Sequence, residues 1–528
     1  MTTSFKRVIV SYGSQSGNSQ RLAQSLTETA FSTTLHLELV ALNHLDPHTI
    51  DDDDLLLVIT STFGDGEPPA NADDFIEQLQ RSQTLSHFKY AVFGLGDVAY
   101  PHFCQFAKTL DAALQQSGAI RAINRVDADT HYQQFFKQWL TTLDALLAGD
   151  MQIGLNLALQ VTPYSEQQPH LASICSIEKL NTGDSPVYQV DIDISDSGMH
   201  YRAGDLLYVL VDDDQVLLRQ LADWFADDRA INVFANKELR SLNKALLRTL
   251  AKKSACASLK NKLKLSNKAM LAEYLYPRDL LDVLNDVSAE GAADNHFISI
   301  DELADALSSR SPRAYSIASC AKMYPEKVSL CIREVAYEFA NRQHFGSASY
   351  QLSNAVAGQK IKVYTRSNPE FQLPELLQAG VIMIGAGTGV APYIGFLQQL
   401  SQQQPHAENC SNLLFFGERY QQYDYLYQSQ LQQWQKQKVL ADVITTFSRD
   451  QPEKRYVQHA LLEHGAQVWQ LLQGGALLYV CGSRQNLAKA IDQALLQIAQ
   501  VYGQLSLQQA LDYLQNLYQN AVIRRDLY

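Results

Sequence analysis

The chain has 528 residues, of which 46% are apolar and 19% charged, a composition typical of a folded protein with several domains of about 150 residues each. Its formal net charge of −13 argues against a nucleic-acid-binding protein. No apolar run reaches the roughly 18 residues of a membrane span, and no basic-then-apolar leader precedes the first predicted strand, so we expect neither a membrane anchor nor a signal peptide.

The cysteines are odd in number and include no C-x-x-C pair. They are Cys104, Cys175, Cys256, Cys320, Cys331, Cys410 and Cys481. This pattern predicts neither a disulfide framework nor a zinc or iron–sulfur site, and hence no metal centre. We therefore expect a cytoplasmic protein with reduced thiols.

Short apolar strands alternate with helices over residues 1–148, which predicts a doubly wound parallel sheet. The predicted strands are KRVIVSYG, DLLLVITSTFG and YAVFGLG, and the predicted helices are NSQRLAQSLTETA and HYQQFFKQWLTTLDALLA. Residues 149–170 are polar and contain proline, which is typical of a linker.

The pattern changes after residue 170 to β-type runs separated by turn sequences, which predicts an antiparallel barrel. Its strands come from residues 171–214 (SICSIEKL, PVYQVDIDI, LLYVLVD) and 306–375 (RAYSIAS, KVSLCIREV, QKIKVYTR). Between them, residues 215–305 have a helical pattern and are predicted to form an insertion in the barrel. Residues 376–528 alternate strands (VIMIGAG, NLLFFGER, ADVITTF, ALLYVCGS) with helices again. The predicted fold class is therefore multidomain α/β, with a parallel sheet, a barrel carrying a helical insertion, and a second parallel α/β domain.

Loops at three strand ends of the first domain suit a flat anionic ligand. Ser14–Ser19 follows a strand and opens a predicted helix, where hydroxyls and backbone N–H groups suit a phosphate. The second loop, Ser61–Glu67, contains Phe63, and the third, Gly94–Asp97, is followed by Tyr100. The two rings would sandwich a flat ligand unless both are core aromatics. Ligands bind beyond the carboxyl ends of parallel strands, at the point where the strand order reverses, so the three loops together predict one site.

The segments SQSGNS, STFGDGEPP and FGLGDVAY resemble the flavodoxin domain of the diflavin reductases, a family that uses FMN, FAD and NADPH. The resemblance implies that the first loop holds the FMN phosphate, that the other two bracket the flavin ring, and that Tyr100 stacks on it. Phe63 stands where several relatives have tyrosine, which keeps stacking but removes a hydroxyl. The implied FMN residues are Ser14, Gln15, Ser16, Gly17, Asn18, Ser61, Thr62, Phe63, Gly64, Asp65, Gly66, Leu95, Gly96, Asp97 and Tyr100.

Further motifs resemble the FAD-binding part of the ferredoxin-reductase superfamily. RAYSIAS places Arg313 and Tyr315 on one face of a strand, which on its own would also fit a half-exposed strand. GSAS opens a predicted helix, and GAGTGVAP resembles the superfamily's nucleotide loop rather than the G-x-G-x-x-G motif of Rossmann dehydrogenases. The implied residues are Arg313, Ala314, Tyr315, Ser316, Gly346, Ser347, Ala348, Ser349, Gly387, Thr388 and Gly389.

The segment SRDQPEKRYVQ predicts the choice of nucleotide. An NAD site offers an acid to the ribose 2′-hydroxyl, whereas a 2′-phosphate needs cations and hydroxyls. Here those groups are Ser448, Arg449, Lys454 and Tyr456, with Gln458 completing the family pattern S-R-x-Q-x-x-K-x-Y-V-Q. Asp450 and Glu453 leave open a salt-bridged loop as the alternative; we predict an NADPH site.

The resemblance also implies the groups around the transferred hydride. Ser316, Cys481 and Asp526 match the family's hydroxyl, thiol and carboxylate, and Tyr528 matches its terminal aromatic, which covers the FAD ring. A buried strand cysteine is more often a small apolar residue, and a ring that merely covers an apolar groove is the alternative for Tyr528. Ser483 stands where relatives commonly have an acid.

The implied reaction carries electrons from NADPH to FAD, to FMN and then to an acceptor. The segments LLFFGERYQQYDYLYQSQL, RDQPEKRYVQ and RRDLY resemble the branch of the family that serves bacterial assimilatory sulfite reductase, so the expected acceptor is its haemoprotein. A haem monooxygenase as acceptor, an electron carrier without NADPH turnover and an oxygen-using oxidase are the competing hypotheses. No Lys or Arg lies between Arg21 and Arg81. Within this acidic interval we expect Asp65, Glu67, Asp73 and Asp74, which flank the second loop, to dock the acceptor, although they would also fit a plain solvated surface.

Overall fold

The computed structural model describes residues 5–28, 37–64, 66–81, 85, 87–98, 102–129, 132–157, 159, 164–290, 297–374, 377, 379–403 and 411–528. The chain forms two compact units. The first is Met1–Tyr164 with Gly198–His200, and the second is Ser165–Ser197 with Tyr201–Tyr528. Among the helices of the described ranges, none combines the length and the apolarity that crossing a bilayer requires.

The first unit contains a five-stranded parallel sheet in the order β2-β1-β3-β4-β5. Its strands are β1 (Arg7–Gly13), β2 (Leu37–Ala41), β3 (Asp54–Ser61), β4 (Lys89–Leu95) and β5 (Ile120–Ala128). Its helices are α1 (Asn18–Thr27), α2 (Asp73–Arg81), α3 (Gln105–Gln116) and α4 (Gln133–Leu147). The order reverses between β1 and β3, which is where such a sheet opens a ligand crevice.

The predicted doubly wound sheet is confirmed, but the sequence pattern did not single out its two edge strands. β3 is buried along almost its whole length and forms a continuous apolar run. By contrast, no residue of β2 is fully buried, and β5 mixes buried and half-buried positions. An edge strand that is covered only in part carries a weaker apolar pattern, so it is harder to recognise.

The second unit begins with a six-stranded antiparallel sheet in the order β10-β7-β6-β13-β8-β9. A bridge between Ile317 and Leu330 brings its two edges together and closes the predicted barrel. The strands are β6 (His170–Lys179), β7 (Val187–Asp193), β8 (Leu206–Leu210), β9 (Arg313–Ser316), β10 (Lys327–Arg333) and β13 (Lys360–Arg366). A separate hairpin is formed by β11 (Ala336–Phe339) and β12 (Arg342–Phe345), and α12 (Ser347–Ser353) follows it.

The predicted helical insertion lies between β8 and β9 and has its own core of leucine, isoleucine and valine side chains. Its helices are α5 (Gln215–Phe225), α6 (Arg229–Val233), α7 (Lys244–Lys253), α8 (Ala257–Lys262), α9 (Lys268–Leu275), α10 (Leu280–Glu290) and α11 (Ile300–Ala306). Helix α7 begins at Lys244, because the side chain of Asn243 accepts the Leu246 N–H at 2.8 Å and caps the helix.

The last part of the unit is a parallel sheet in the order β16-β15-β14-β17-β18. The strands are β14 (Val381–Ala386), β15 (Leu413–Glu418), β16 (Asp442–Phe447), β17 (Leu477–Gly482) and β18 (Ile523–Leu527). The helices are α13 (Ala391–Gln403), α14 (Gln421–Asp424), α15 (Gln428–Lys436), α16 (Val457–Glu463), α17 (Gly465–Gln473), α18 (Arg484–Val501) and α19 (Leu507–Gln519). The sheet shares one hydrophobic core with the barrel, in which Val187 and Cys331 pack with Tyr393 and Phe396.

Candidate active site

The first loop of the parallel sheet in the first unit is built around a helix start. The Gly17 N–H donates to Ser14 Oγ at 3.0 Å, and the Ser14 N–H donates to Asn71 Oδ1 at 2.8 Å. Gly17 has φ +84°, a left-handed conformation that glycine adopts without strain, and α1 begins at the next residue. The loop therefore turns directly from β1 into a helix N-terminus.

Ser19 belongs to this loop but was not among the residues assigned to the FMN phosphate from the sequence. Its Oγ is fully buried and has no hydrogen-bond partner among the described residues. A buried hydroxyl without a partner costs free energy, and a bound phosphate oxygen would satisfy it. Hydroxyls and helix N–H groups therefore fit an FMN phosphate here, and the spacing of Ser14, Ser16 and Ser19 was the available sequence signal.

The second loop leaves an aromatic ring in solvent. Its ends are joined by the Phe63 N–H, which donates to the Glu67 carbonyl at 2.9 Å, while the Thr62 hydroxyl accepts the Phe106 N–H at 3.1 Å. Phe63 is 49% exposed, so it is not a core aromatic, and its ring is open to stacking. In the third loop the Gly96 N–H donates to the Ala128 carbonyl at 2.9 Å.

The remaining residues assigned to FMN divide into two groups. Gln15, Ser16, Asn18, Ser61, Gly64, Gly66, Leu95 and Asp97 lie in or beside the three loops at the ends of β1, β3 and β4. Asp65 and Tyr100 lie outside the described residues, so their assignments stay predictions.

In the second unit, a cavity of about 620 Å³ opens beside the barrel. We call it the barrel cavity. Its lining includes most of the residues that the sequence assigned to FAD and to hydride transfer: Arg313, Ala314, Tyr315, Ser316, Gly346, Ser347, Ala348, Ser349, Thr388, Asp526 and Tyr528. Arg313 is paired with Glu238 at 3.2 Å. Burial raises the pKa of Tyr315 to about 12, so its hydroxyl is neutral at physiological pH.

The cavity wall also contains residues that no sequence signal identified. Arg240, Tyr276 and Arg278 come from the helical insertion and line the same cavity. Arg240 pairs with Asp214 at 2.6 Å, whereas the Tyr276 ring is 88% exposed. These cations and this ring fit a ligand with phosphates and an aromatic base, because arginine binds phosphate oxygens and rings stack on bases.

Three side chains from distant parts of the sequence meet beside the cavity, although only Ser316 and Asp526 line it and Cys481 is fully buried. The Ser316 hydroxyl donates to Asp526 Oδ2 at 2.5 Å, and the Cys481 thiol lies 3.9 Å from the same oxygen. Parallel pairing of β17 with β18 sets Cys481 directly beside Asp526. The family resemblance predicted that these three residues share a pocket, and the structure brings them into contact.

The electrostatics of this cluster are set mainly by burial. Burial raises the pKa of the Asp526 carboxyl, and hydrogen bonds from Ser316 and Cys481 counteract part of that effect because they stabilise the carboxylate. Burial and the neighbouring Asp526 raise the pKa of the Cys481 thiol well above its ordinary value. The thiol is therefore protonated and can donate a weak hydrogen bond, rather than act as a nucleophile.

Tyr528 lies at the edge of the barrel cavity with 63% of its surface exposed. Its hydroxyl is 3.0 Å from the hydroxyl of Thr388, and its N–H donates to the Gly482 carbonyl at 3.2 Å. The backbone is thus held at the end of β17, while the ring is tied by one side-chain hydrogen bond. One hydrogen bond of 3.0 Å to Thr388 thus holds the hydroxyl of a residue that is otherwise more than half exposed.

Gly387–Val390 forms one turn of 3-10 helix after β14, and we call it the nucleotide loop. A side chain at Gly389 would place Cβ 2.2 Å from the carbonyl oxygen of Cys481. Only glycine allows the loop to pass this close to β17. This close approach brings Thr388 to the barrel cavity.

The segment assigned to the 2′-phosphate, residues 448–458, follows β16. The Ser448 N–H donates to the Glu418 carbonyl at 2.8 Å. Arg449 and Lys454 are exposed, and neither side chain forms an ion pair or hydrogen bond within the described ranges. Asp450 instead accepts the Gln421 N–H at 3.0 Å, so the alternative of a salt-bridged loop does not account for these two cations.

The other polar groups of this segment lie beside the two cations. Tyr456 is 44% exposed and precedes α16, in which Gln458 is half-buried. Arg419 was not singled out from the sequence, although its carbonyl accepts the Arg449 N–H at 2.9 Å and its side chain is exposed. Arg449 and Lys454, with Arg419 close by, fit an anionic ligand in this region.

Two protein-family models match the chain. A model of flavodoxin matches residues 10–139, and a model of the oxidoreductase NAD-binding domain matches residues 383–493. Both matches agree with the two parallel sheets. They confirm the predicted oxidoreductase class, with FMN, FAD and NADPH as cofactors.

Several curated proteins are similar over nearly the whole chain. The sulfite reductase [NADPH] flavoprotein alpha-components of Aliivibrio fischeri and Shewanella oneidensis are each 33% identical to it, over 99% of this chain and 89% of the relative. The protein of the same name from Escherichia coli O157:H7 is 32% identical, over 98% of this chain and 88% of the relative. The chain therefore belongs to the family of the sulfite reductase [NADPH] flavoprotein alpha-components.

Proposed function

We propose that this NADPH-dependent diflavin reductase delivers its electrons to a haemoprotein, and that this acceptor is the haemoprotein of a sulfite reductase. When bound, the nicotinamide supplies a hydride to FAD, and the two flavins pass the electrons on singly to the acceptor. The similarity to the sulfite reductase [NADPH] flavoprotein alpha-components supports the choice of acceptor. The observation that supports the transfer from NADPH to FAD is that Ser316, Asp526 and Tyr528 line the barrel cavity, with the buried Cys481 thiol 3.9 Å from Asp526 Oδ2.

Each of these side chains has a separate role in the proposal. The carboxylate of Asp526 counters positive charge that develops on the nicotinamide during the reaction. The Ser316 hydroxyl orients that carboxylate by a 2.5 Å hydrogen bond, and the buried Cys481 thiol supports it from 3.9 Å. The ring of Tyr528 would cover the face of the FAD ring that the nicotinamide must reach, so the tyrosine would have to move aside in each turnover.

Recognition of NADPH is assigned to residues 448–458. The side chains of Arg449 and Lys454 are free to bind the 2′-phosphate, and Ser448 and Tyr456 add hydroxyl groups. Gly387, Thr388 and Gly389 hold the nucleotide beside the barrel cavity. The exposure of both cations and their lack of partners within the described ranges support this assignment.

The FMN residues are assigned to the three loops of the first unit, with Ser19 added to the phosphate group. The buried, unpartnered Oγ of Ser19 and the exposed ring of Phe63 support this assignment. We propose the division into domains as it was predicted from the sequence: 1–148 for FMN, 149–170 as linker, 171–214 with 306–375 for FAD, 215–305 as insertion, and 376–528 for NADPH. The strand and helix bounds support this division except at the linker. There, Ile153–Asn156 forms a 3-10 helix within the first unit, and β6 already begins at His170.

The acceptor is proposed to dock on exposed acidic residues near the FMN loops. Glu67, Asp73 and Asp74 are exposed, and Asp65 lies outside the described residues. Not all of the acidic interval is available, because Asp54 is 1% exposed and pairs with Arg7 at 2.7 Å. A cytoplasmic location is proposed as well. The six described cysteines are free thiols, which agrees with a reducing compartment.

The experiment that tests the function uses the full chain loaded with FMN and FAD, without oxygen. NADPH should bleach the flavin absorbance, and a sulfite reductase haemoprotein added next should show reduced-haem bands at a catalytic rate. Absence of bleaching would instead identify an electron carrier without NADPH turnover. Reduction of a haem monooxygenase in preference to the sulfite reductase haemoprotein would identify the monooxygenase as the acceptor, and rapid peroxide formation in air would identify an oxygen-using oxidase.

A further inference from the structure

A buried ion pair joins the barrel to the last parallel sheet. Arg333 is the last residue of β10, and Glu418 is the last residue of β15. Arg333 Nη2 pairs with Glu418 Oε1, and the two side chains are 21% and 3% exposed. Arg333 Nη1 also donates to the Ser185 carbonyl at 3.1 Å, so a single guanidinium is bonded to both the barrel and the sheet.

The pair lies between the barrel cavity and the nucleotide loop. Arg333 is part of the cavity lining. A Cβ built on Gly387 would lie 3.5 Å from Glu418 Oε1 and 3.7 Å from Arg333 Nη2. The ion pair is therefore in van der Waals reach of the loop that is proposed to hold the nucleotide.

The backbone of Glu418 is also hydrogen-bonded to the segment assigned to the 2′-phosphate, residues 448–458. Its carbonyl accepts the Ser448 N–H at 2.8 Å, and the next carbonyl, of Arg419, accepts the Arg449 N–H at 2.9 Å. Glu418 Oε2 accepts the Arg419 N–H at 2.8 Å, which fixes the backbone at the end of β15. A shift of Glu418 would therefore move residues 448 and 449 with it.

Stability alone does not explain an ion pair at this position. An ion pair loses hydration when it is buried. Replacing such a pair with apolar residues of similar volume often leaves the protein at least as stable. An arginine–carboxylate pair, however, accepts only a narrow range of distances and angles, so it fixes one register between the elements that carry it. Burial raises the pKa of Glu418 even though Arg333 counteracts that effect, so the carboxylate depends on its partner.

We propose that Arg333 and Glu418 are positioning residues, which fix the nucleotide loop and residues 448–449 in register with the barrel cavity. The proposal rests on the transfer from NADPH to FAD and deepens it. The pair sets the distance between the nucleotide and the barrel. It does not change the affinity of the last parallel sheet for the nucleotide. Small errors in that distance are costly, because a displacement of about 1 Å can lower a rate about a hundredfold.

The test uses the full chain loaded with FMN and FAD, as Arg333→Met, as Glu418→Gln and as the double variant. Lys327→Met is the matched control, because Lys327 lies on the same strand and pairs with Asp191 at 2.7 Å entirely within the barrel. Three quantities are measured: the flavin reduction rate at saturating NADPH, the Kd of adenosine 2′,5′-bisphosphate, and amide hydrogen exchange over residues 387–390.

In the double variant we expect flavin reduction at saturating NADPH to fall about tenfold or more, with little change in KM. The Kd of adenosine 2′,5′-bisphosphate should stay within about twofold, because Ser448 and Arg449 keep their backbone contacts to β15. Hydrogen exchange over 387–390 should become faster. The control should leave all three quantities unchanged.

The double variant keeps the test decisive even where a single variant leaves an unpaired buried charge and does not fold. A reduction rate within about twofold of the unaltered protein would show that the pair is only structural and would overturn the proposal. A parallel rise in the Kd of the bisphosphate would also overturn it, because Arg333 would then act as a nucleotide ligand. If NADPH fails to reduce the unaltered protein, the proposed function fails instead, while hydrogen exchange and the bisphosphate Kd still report on the pair.

Discussion

The hydroxyl oxygen of Ser316 lies 2.5 Å from Oδ2 of Asp526, although 210 positions separate the two residues in the chain. The carboxylate is half-buried, and the hydroxyl is its shortest contact among the hydrogen bonds of the described ranges. A hydrogen bond to the charged form of a carboxyl favours ionisation, whereas burial opposes it. The balance of these two effects makes the proposed reaction sensitive to pH.

As pH is lowered, the flavin reduction rate should begin to fall at a pH above the ordinary pKa of an aspartate, because burial raises the pKa of Asp526. We call this fall in rate the acid limb. Ser316→Ala removes a hydrogen bond that lowers this pKa, so the acid limb should move to higher pH. Asp526→Asn should abolish the limb and slow reduction about tenfold or more. The measurement is stopped-flow flavin reduction by NADPH across pH. An acid limb that Asp526→Asn leaves in place would assign it to another group.

Stability gives an independent check on the same carboxyl. Its folded pKa lies above the unfolded value, so its contribution to the free energy of unfolding is fully present below the ordinary aspartate pKa of 3.8. That contribution is lost as pH rises through the interval up to the raised pKa. Denaturant unfolding of Asp526→Asn should lack this pH dependence.

Because of Arg449, kcat/KM should be well over tenfold higher with NADPH than with NADH, since charge-assisted hydrogen bonds contribute about 1.5–3 kcal/mol each. Arg449→Ala should shrink the ratio by raising KM for NADPH, with little effect on NADH. Arg455→Ala is the matched control, since Arg455 is already paired with Glu463. Steady-state kinetics with both nucleotides measure the ratio. Equal use of the two by the unaltered protein would contradict the NADPH site.

Tyr528→Ala should relax the preference against NADH by about tenfold, or about 1.4 kcal/mol, because the ring no longer competes with the nicotinamide. NADP⁺ should bind more tightly, and slow product release should lower turnover. Tyr528→Phe keeps the ring and loses only the contact with Thr388, so it should behave like the unaltered protein. The measurement is pre-steady-state flavin reduction with NADH and NADPH. If the alanine variant discriminates as before, the ring is not a gate.

Electron delivery to the haemoprotein should slow as salt rises, because exposed charges are screened over about 10 Å at 0.1 M salt. Glu67→Gln with Asp74→Asn should reduce both the rate at low salt and its salt dependence. Asp512→Asn removes an exposed charge on α19 and serves as the control. Ferricyanide reduction should change little with salt in every variant. If the turnover rate with the haemoprotein does not depend on ionic strength, these residues form only a solvated surface.

The sequence by itself determined the two parallel sheets, the barrel and the order in which they occur. β3, β14 and β15 are buried along nearly their whole length, so their residues form unbroken apolar runs. The turn sequences and polar segments between such runs mark where each element ends. The edge strands β2, β5 and β18 were not predicted, because exposed and half-buried positions interrupt their apolar runs, whereas the edge strand β16 was predicted from its β-type segment ADVITTF.

The candidate site divides in the same way. Residues 14–19 and 448–458 each lie within one short segment, so their residue types and spacing were enough to predict a phosphate site and a nucleotide preference. The place of Arg240, Tyr276 and Arg278 in the cavity wall was decided only by how the helical insertion packs on the barrel.

The contacts across the cavity are also products of tertiary structure. The resemblance named Ser316, Cys481 and Asp526 as partners, but the register between β17 and β18 sets Cys481 beside Asp526. The pair of Arg333 and Glu418 had no sequence signal at all, since each residue ends an ordinary strand. Periodicity along a chain records only which side of an element is buried. Which distant side chains meet there is decided by strand register and packing, because these determine the distances between elements.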